Sequence, residues 1–155
     1  VLSIISAKKG ELWFGTSSGV VYYNGNDFSL LDKSMGLCDS QVISLLYDRD
    51  GHVWFGTLSG ISTFDGQRLI NYRFKQSAPA GMILAMHQDQ FGHIWFSTDE
   101  GFYHFNGTTF SQLIVPDRNL LKSIYCIAED DSGMLWLGTL GNGLLRYDEI
   151  GRAHV

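Results

Sequence analysis

Gly51-His52-Val53-Trp54-Phe55-Gly56-Thr57 is one of four copies of a single heptapeptide pattern. The others read Gly10-Glu11-Leu12-Trp13-Phe14-Gly15-Thr16, Gly92-His93-Ile94-Trp95-Phe96-Ser97-Thr98 and Gly133-Met134-Leu135-Trp136-Leu137-Gly138-Thr139. The differences 51−10, 92−51 and 133−92 all equal 41, and all four tryptophans fall in this frame. A fixed period of roughly 40–45 residues with one Trp per unit is the mark of a propeller blade or another stacked array. Side chains alternate along a strand, so Trp54 and Gly56 share one face while Val53 and Phe55 take the other. Both faces are apolar, which requires packing on both sides. The periodic Trp is therefore read as core, and the small residue beside it (Gly15, Gly56, Ser97, Gly138) is expected to leave room for a neighbouring ring.

Working outward from the heptapeptide, each unit resolves into four short strands. An apolar run precedes it: Leu2–Ser6, Val42–Leu46, Met82–Met86 and Ile124–Ala128. These runs suit a strand covered on both faces. Between run and heptapeptide lies an Asp-x-x-Gly turn, at Asp48, Asp89 and Asp130 with Gly51, Gly92 and Gly133; the first unit keeps Gly10 but has Ala7 for the aspartate. Asp at the first turn position bonds its own backbone, and Gly accepts the positive φ. After the heptapeptide come Val20–Tyr23, Ile61–Phe64, Phe102–Phe105 and Leu144–Tyr147. Three of these strands end in a hairpin signal, Asn24-Gly25, Asp65-Gly66 and Asn106-Gly107, read as two-residue turns. Outer strands follow at Phe28–Leu31, Leu69–Tyr72 and Phe110–Leu113. The fourth unit breaks off at Asp148 and is expected to lack its outermost strand. Asn106-Gly107-Thr108 also matches a glycosylation sequon, but a hairpin turn accounts for it.

The expected fold is all-β: a β-propeller fragment over residues 1–148, with about three complete four-stranded blades and a partial fourth in an open arc. Units start near 1, 41, 82 and 123. Residues 149–155 depart from the repeat and coincide with one reading frame of a widely used short-read sequencing adapter. They are expected to be an adapter-derived tail on a piece of a longer chain; codons unlike the adapter would overturn this.

Variation concentrates in two loop sets. The segments Asp32–Ser40, Arg73–Gly81 and Val115–Lys122 link one unit to the next, and Ser17-Ser18, Leu58-Ser59, Asp99-Glu100 and Leu140–Asn142 follow the Trp strands. In a propeller both sets emerge at the same channel mouth, where binding is usually placed. Asp99, Glu100, Arg118, Asn119 and Asn142 are the candidate ligand contacts there, weighed against an ordinary solvated loop. Tyr22, Tyr23 and Tyr72 would stack on sugars, yet their strand positions favour packing.

A formal net charge of −5 without a Lys/Arg cluster argues against nucleic acid or anionic membrane as partner. No apolar run approaches the ~18 residues of a membrane span. Cys38 and Cys126 sit two units apart at different phases, so no disulfide is expected between them. No phosphate loop, CxxC pair or HExxH occurs. His52 and His93 share a phase on separate units, and His87 and His104 share neither that phase nor each other's. They are read as solvent-facing or strand-filling, so no metal ligand and no catalytic residue is assigned, and no cofactor is expected.

Apolar strand, Asp-x-x-Gly, apolar-Trp-apolar-Gly-Thr, Gly-apolar and Tyr/Phe-Asp/Asn-Gly together resemble the two-component regulator propeller repeat. The resemblance covers residues 1–148; Ala7, Ser97 and the extra residue in Leu140–Asn142 depart from it. It implies a sensor region, periplasmic, of a hybrid two-component histidine kinase, with an oligosaccharide or other small molecule as ligand. Its partners would be the remaining blades of the same chain and, for the parent, a second copy in a homodimer. The segment itself would not be an enzyme. Two other readings stand beside it: a propeller lyase similar to the streptogramin lyases, and a protein-interaction scaffold.

Overall fold

The computed structural model describes residues 1–72, 81–115, 117, 119–148 and 152–154. The first sheet holds β1 (Ser3–Ser6), β2 (Leu12–Thr16), β3 (Gly19–Tyr23) and β4 (Phe28–Leu31). The second holds β5 (Val42–Tyr47), β6 (Val53–Thr57), β7 (Gly60–Phe64) and β8 (Leu69–Asn71). The third holds β9 (Ile83–Gln88), β10 (Ile94–Thr98), β11 (Phe102–Phe105) and β12 (Phe110–Gln112). The fourth holds β13 (Ile124–Glu129), β14 (Leu135–Thr139), β15 (Leu144–Asp148) and β16 (Arg152–His154). Each sheet is an antiparallel meander in sequence order. Among the described residues the only helical turn is a 3-10 turn, Lys33–Met35, capped by the Asp32 side chain.

Sheets pack in sequence order, first on second, second on third, third on fourth. The cores therefore lie between sheets and not inside any one of them. Trp13, Val20, Val42 and Phe55 form the first. Trp54, Ile61, Ile83 and Phe96 form the second, and Trp95, Phe102, Ile124 and Leu137 the third. The Trp face of one sheet meets the Phe face of the next: Trp13 lies 5.7 Å from Phe55 and Trp54 5.6 Å from Phe96, ring centre to ring centre.

Three details differ from the sequence expectation. First, the fourth sheet does not stop at three strands, because Arg152–His154 pairs with β15, Arg146 opposite His154. The reason is the unpaired row of N–H and C=O groups along β15, which accepts any extended segment within reach. Second, the hairpin loops begin one residue later than the Asn-Gly signal. The Asn24 N–H donates to the Asp27 carbonyl at 3.2 Å, leaving Gly25-Asn26 as the loop with Gly25 at φ +101°. The Asn24 carboxamide oxygen accepts the N–H groups of Asn26 and Asp27, which fixes that residue as the flank. Third, the glycine beside a Trp makes room for the small side chain of the paired inner strand (Ser3, Ser44 or Cys126) and not for a ring. A Cβ on Gly56 would lie 2.1 Å from Ser44 Oγ and 2.8 Å from Ile83 Cγ2 of the next sheet.

Candidate functional site

An antiparallel meander puts alternate loops at opposite ends. The Asp-x-x-Gly turns and the Gly-first hairpins share one end of every sheet. The loops after the Trp strands and the connections between sheets share the other.

At the turn end, each aspartate serves two structures at once. Asp48 Oδ1 accepts the N–H groups of Asp50 and His52, while Oδ2 accepts the Trp54 indole N–H at 2.7 Å. Asp89 holds Trp95 at 2.8 Å and Asp130 holds Trp136 at 2.8 Å in the same way. The Ser132 hydroxyl and the Trp136 indole keep the Asp130 carboxyl down at about 2. In the first sheet Ala7 offers no carboxylate, and the Trp13 indole N–H is buried without a partner. Ala7 and Trp13 line a cavity of about 410 Å³ between the first two sheets.

The turns are also stitched to one another. Gln88 Oε1 accepts the Arg49 N–H at 2.9 Å, and Glu129 Oε2 accepts the Gln90 N–H at 2.9 Å. The Arg49 guanidinium adds bonds to the carbonyls of Asp89 and Gln90. The residues before Asp89 and Asp130 thus receive the preceding sheet's turn. The corresponding position in the second sheet is Tyr47, whose aromatic side chain lines the cavity beside Trp13.

The same end brings two histidines together that their phases kept apart. His93 follows the turn glycine, and His104 lies on β11 opposite Trp95. Their rings meet edge to face at 4.7 Å, with His104 also 4.5 Å from the Trp95 ring. Burial, then the neighbouring His93, lowers the His104 pKa from its usual value. The sequence held the signal: Thr98 bonds Gly101 across the Asp99-Glu100 turn, and 98+101 equals 95+104. His87 instead faces the next sheet, with Nε2 3.5 Å from Glu129 Oε2.

At the loop end the candidate residues fall into two groups. Asp99 is exposed, and its Oδ1 accepts the Met82 N–H at 3.0 Å, tying the loop to the start of the third sheet. Asn142 donates from Nδ2 to the Asn119 carbonyl at 3.1 Å, so these two meet on the fourth sheet. Arg118 lies outside the described residues, as do 73–80 of the connection Arg73–Gly81. Glu100 lines a cleft of about 350 Å³ between the third and fourth sheets. Its other walls include Gln112, Leu113, Ile114, Val115 and Lys122. Sequence reasoning passed over Gln112 and Lys122, because only the packing of β12 beside the next connection makes them neighbours of Glu100. Cys38 is buried and its Sγ donates to the Ser59 carbonyl at 3.7 Å, while Cys126 is exposed.

Residues 36–59 and 121–141 match the family described as two component regulator propeller. Over these two stretches the chain is similar to the two-component regulator propeller repeat. Each matched stretch of the repeat runs through an inner strand, the Asp turn and the Trp strand. Among solved structures, the chain is similar to the extracellular domain assigned to a hybrid two-component system of B. thetaiotaomicron. That likeness has 23% identity and a TM-score of 0.79 over 99% of this chain. A second such domain from the same organism matches at 18% identity and TM-score 0.79, again over 99% of this chain. Virginiamycin B lyase from Staphylococcus aureus matches at 20% identity and TM-score 0.74 over 97% of this chain. The chain spans 21% of the first two structures and 53% of the lyase. Among curated proteins nothing matches. No helix among the described residues is long and apolar enough to cross a membrane.

Proposed function

We propose that these repeats are a ligand-sensing segment of a larger propeller in a hybrid two-component sensor histidine kinase, facing the periplasm. The observation that carries this reading is the Glu100 cleft. It lies at the end where the loops vary in length and sequence, and it combines exposed Glu100, Gln112 and Lys122 with an apolar wall. A carboxylate, a carboxamide and an ammonium side by side suit the hydroxyl groups of an oligosaccharide, with Ile114 and Val115 against its apolar face. The ligand would favour one arrangement of the propeller and thereby bias a kinase dimer elsewhere in the parent chain.

The lyase reading rests on likeness of fold. It needs a general base near the substrate, and His52, His87, His93 and His104 lie toward the turn end, away from this cleft. Calorimetric titration of the complete propeller with purified plant and host oligosaccharides tests the proposal. Binding is expected, with Glu100→Gln and Lys122→Met each weakening it roughly tenfold, the scale of one charged hydrogen bond. Failure of every oligosaccharide to bind, or turnover of a streptogramin-type lactone, would overturn it.

A further inference from the structure

We propose that Asp89, His93 and His104 form a binding site for one zinc-class divalent cation at the turn end of the third sheet. Each residue offers one ligand atom, and the three atoms lie within 4.8 Å of one another. Asp89 is 2% exposed. The Phe91 and His93 N–H groups and the Trp95 indole hold its carboxylate in one orientation. A fixed carboxylate with one lone pair of Oδ2 still open is the kind of anchor metal sites use. His104 is wedged between Trp95 and His93. Neither histidine ring hydrogen-bonds elsewhere among the described residues, and His93 Nδ1 lies 3.7 Å from Asp89 Oδ2.

Two imidazoles with one carboxylate select borderline cations such as Zn²⁺; Mg²⁺ and Ca²⁺ prefer an all-oxygen shell. Zinc bonds of about 2.0–2.1 Å in a tetrahedron require ligand atoms about 3.3 Å apart. The half-exposed His93 ring supplies that movement by a small rotation. Three protein ligands leave a fourth position for water or an outside donor. The equivalent positions elsewhere are Ala7, Glu11 and Tyr22, then Asp48, His52 and Thr63, then Asp130, Met134 and Arg146. Only the third sheet places two imidazoles there. The second sheet's Asp48, Asp50 and His52 also lie within 4.8 Å, but with a single imidazole, and serve as an internal control.

The test is Zn²⁺ titration of the intact parent protein, prepared without a histidine tag. One site per chain is expected, with Mg²⁺ failing to compete and Co²⁺ giving a visible absorption band on binding. His104→Phe keeps a ring against Trp95, and His93→Gln changes a surface-accessible side chain. Loss of even outer-shell partners lowers metal affinity 10–100-fold. Each of these ligand variants is therefore expected to lose at least about 10-fold, while His52→Gln leaves affinity unchanged. Absence of Zn²⁺ uptake, or uptake surviving both His93→Gln and His104→Phe, overturns the proposal.

Discussion

The bond from the Trp54 indole to the Asp48 carboxylate ties a turn to a core ring six residues later. It explains why Asp and Trp recur together: one carboxylate closes the turn and satisfies the only polar atom of a buried ring. The first sheet shows what its loss leaves, an orphaned donor on Trp13. Ala7→Asp is expected to stabilise the first sheet by about 1–3 kcal/mol, the usual cost of an unsatisfied buried group. Chemical denaturation of the two variants measures it, and an unchanged or lower midpoint would refute it. Asp130 gives a pH dependence. Its folded pKa of about 2 is below the ordinary 3.8. With the larger effect of the Ser132 hydroxyl bond, the bond to Trp136 contributes in full above pH ~4 and is lost as pH falls through about 2. The Trp136 indole N–H resonance should shift with a midpoint near pH 2; a midpoint near 3.8 would show that the bond does not hold the carboxylate. Both columns of this pair were plain in the sequence. The bond between them was not, since an offset of six matches neither strand alternation nor a turn of fixed type.

Strands that face each other within a sheet exchange small residues in a compensated way. In the second sheet Ser44 opposes Gly56, and the Ser44 hydroxyl donates to the Ile83 carbonyl of the next sheet at 2.9 Å. In the third, Ala85 opposes Ser97, and Ser97 donates to the Ile124 carbonyl at 2.7 Å. One hydroxyl reaches the next inner strand in each case, from opposite members of the pair. Ser97→Gly alone is expected to cost about 1–3 kcal/mol by stranding a buried acceptor. Ala85→Ser alone crowds the site, as a Cβ on Gly56 would crowd Ser44. The double variant should recover most of the loss of Ser97→Gly, and thermal melts that instead add the two costs would disprove the coupling. Ser97 looked like a lone departure from the repeat because its compensating partner lies twelve residues earlier on another strand. The strands themselves, the turns and the glycines were legible, being local. The Glu100 cleft was not, because its walls come from residues 100, 112–115 and 121–122, which only packing of the third sheet on the fourth makes adjacent.

Burial along the row of sheets shows an arc with two bare ends. The residue opposite the small position is fully buried at Val20, Ile61 and Phe102, yet Leu144 in the fourth sheet is 56% exposed. At the other end Ile4 is 59% exposed, while its counterpart Leu45 is 9% exposed. Apolar faces of this kind ask for another sheet. The 155-residue chain produced alone is expected to self-associate at micromolar concentration, as read by light scattering. A monodisperse monomer melting in one cooperative step would contradict that. The strand β16 adds something about the periphery. The repeat pattern assigned no strand to Arg152–His154, yet β15 accepts it through main-chain pairing. The outermost berth of such a sheet is thus chosen by reach and by amide spacing far more than by side chains. β4 and β8 fit this, since their residues are mostly exposed. A foreign peptide grafted at that position would be accommodated without disturbing the indole-packed interior, making the periphery the natural place to splice in a reporter.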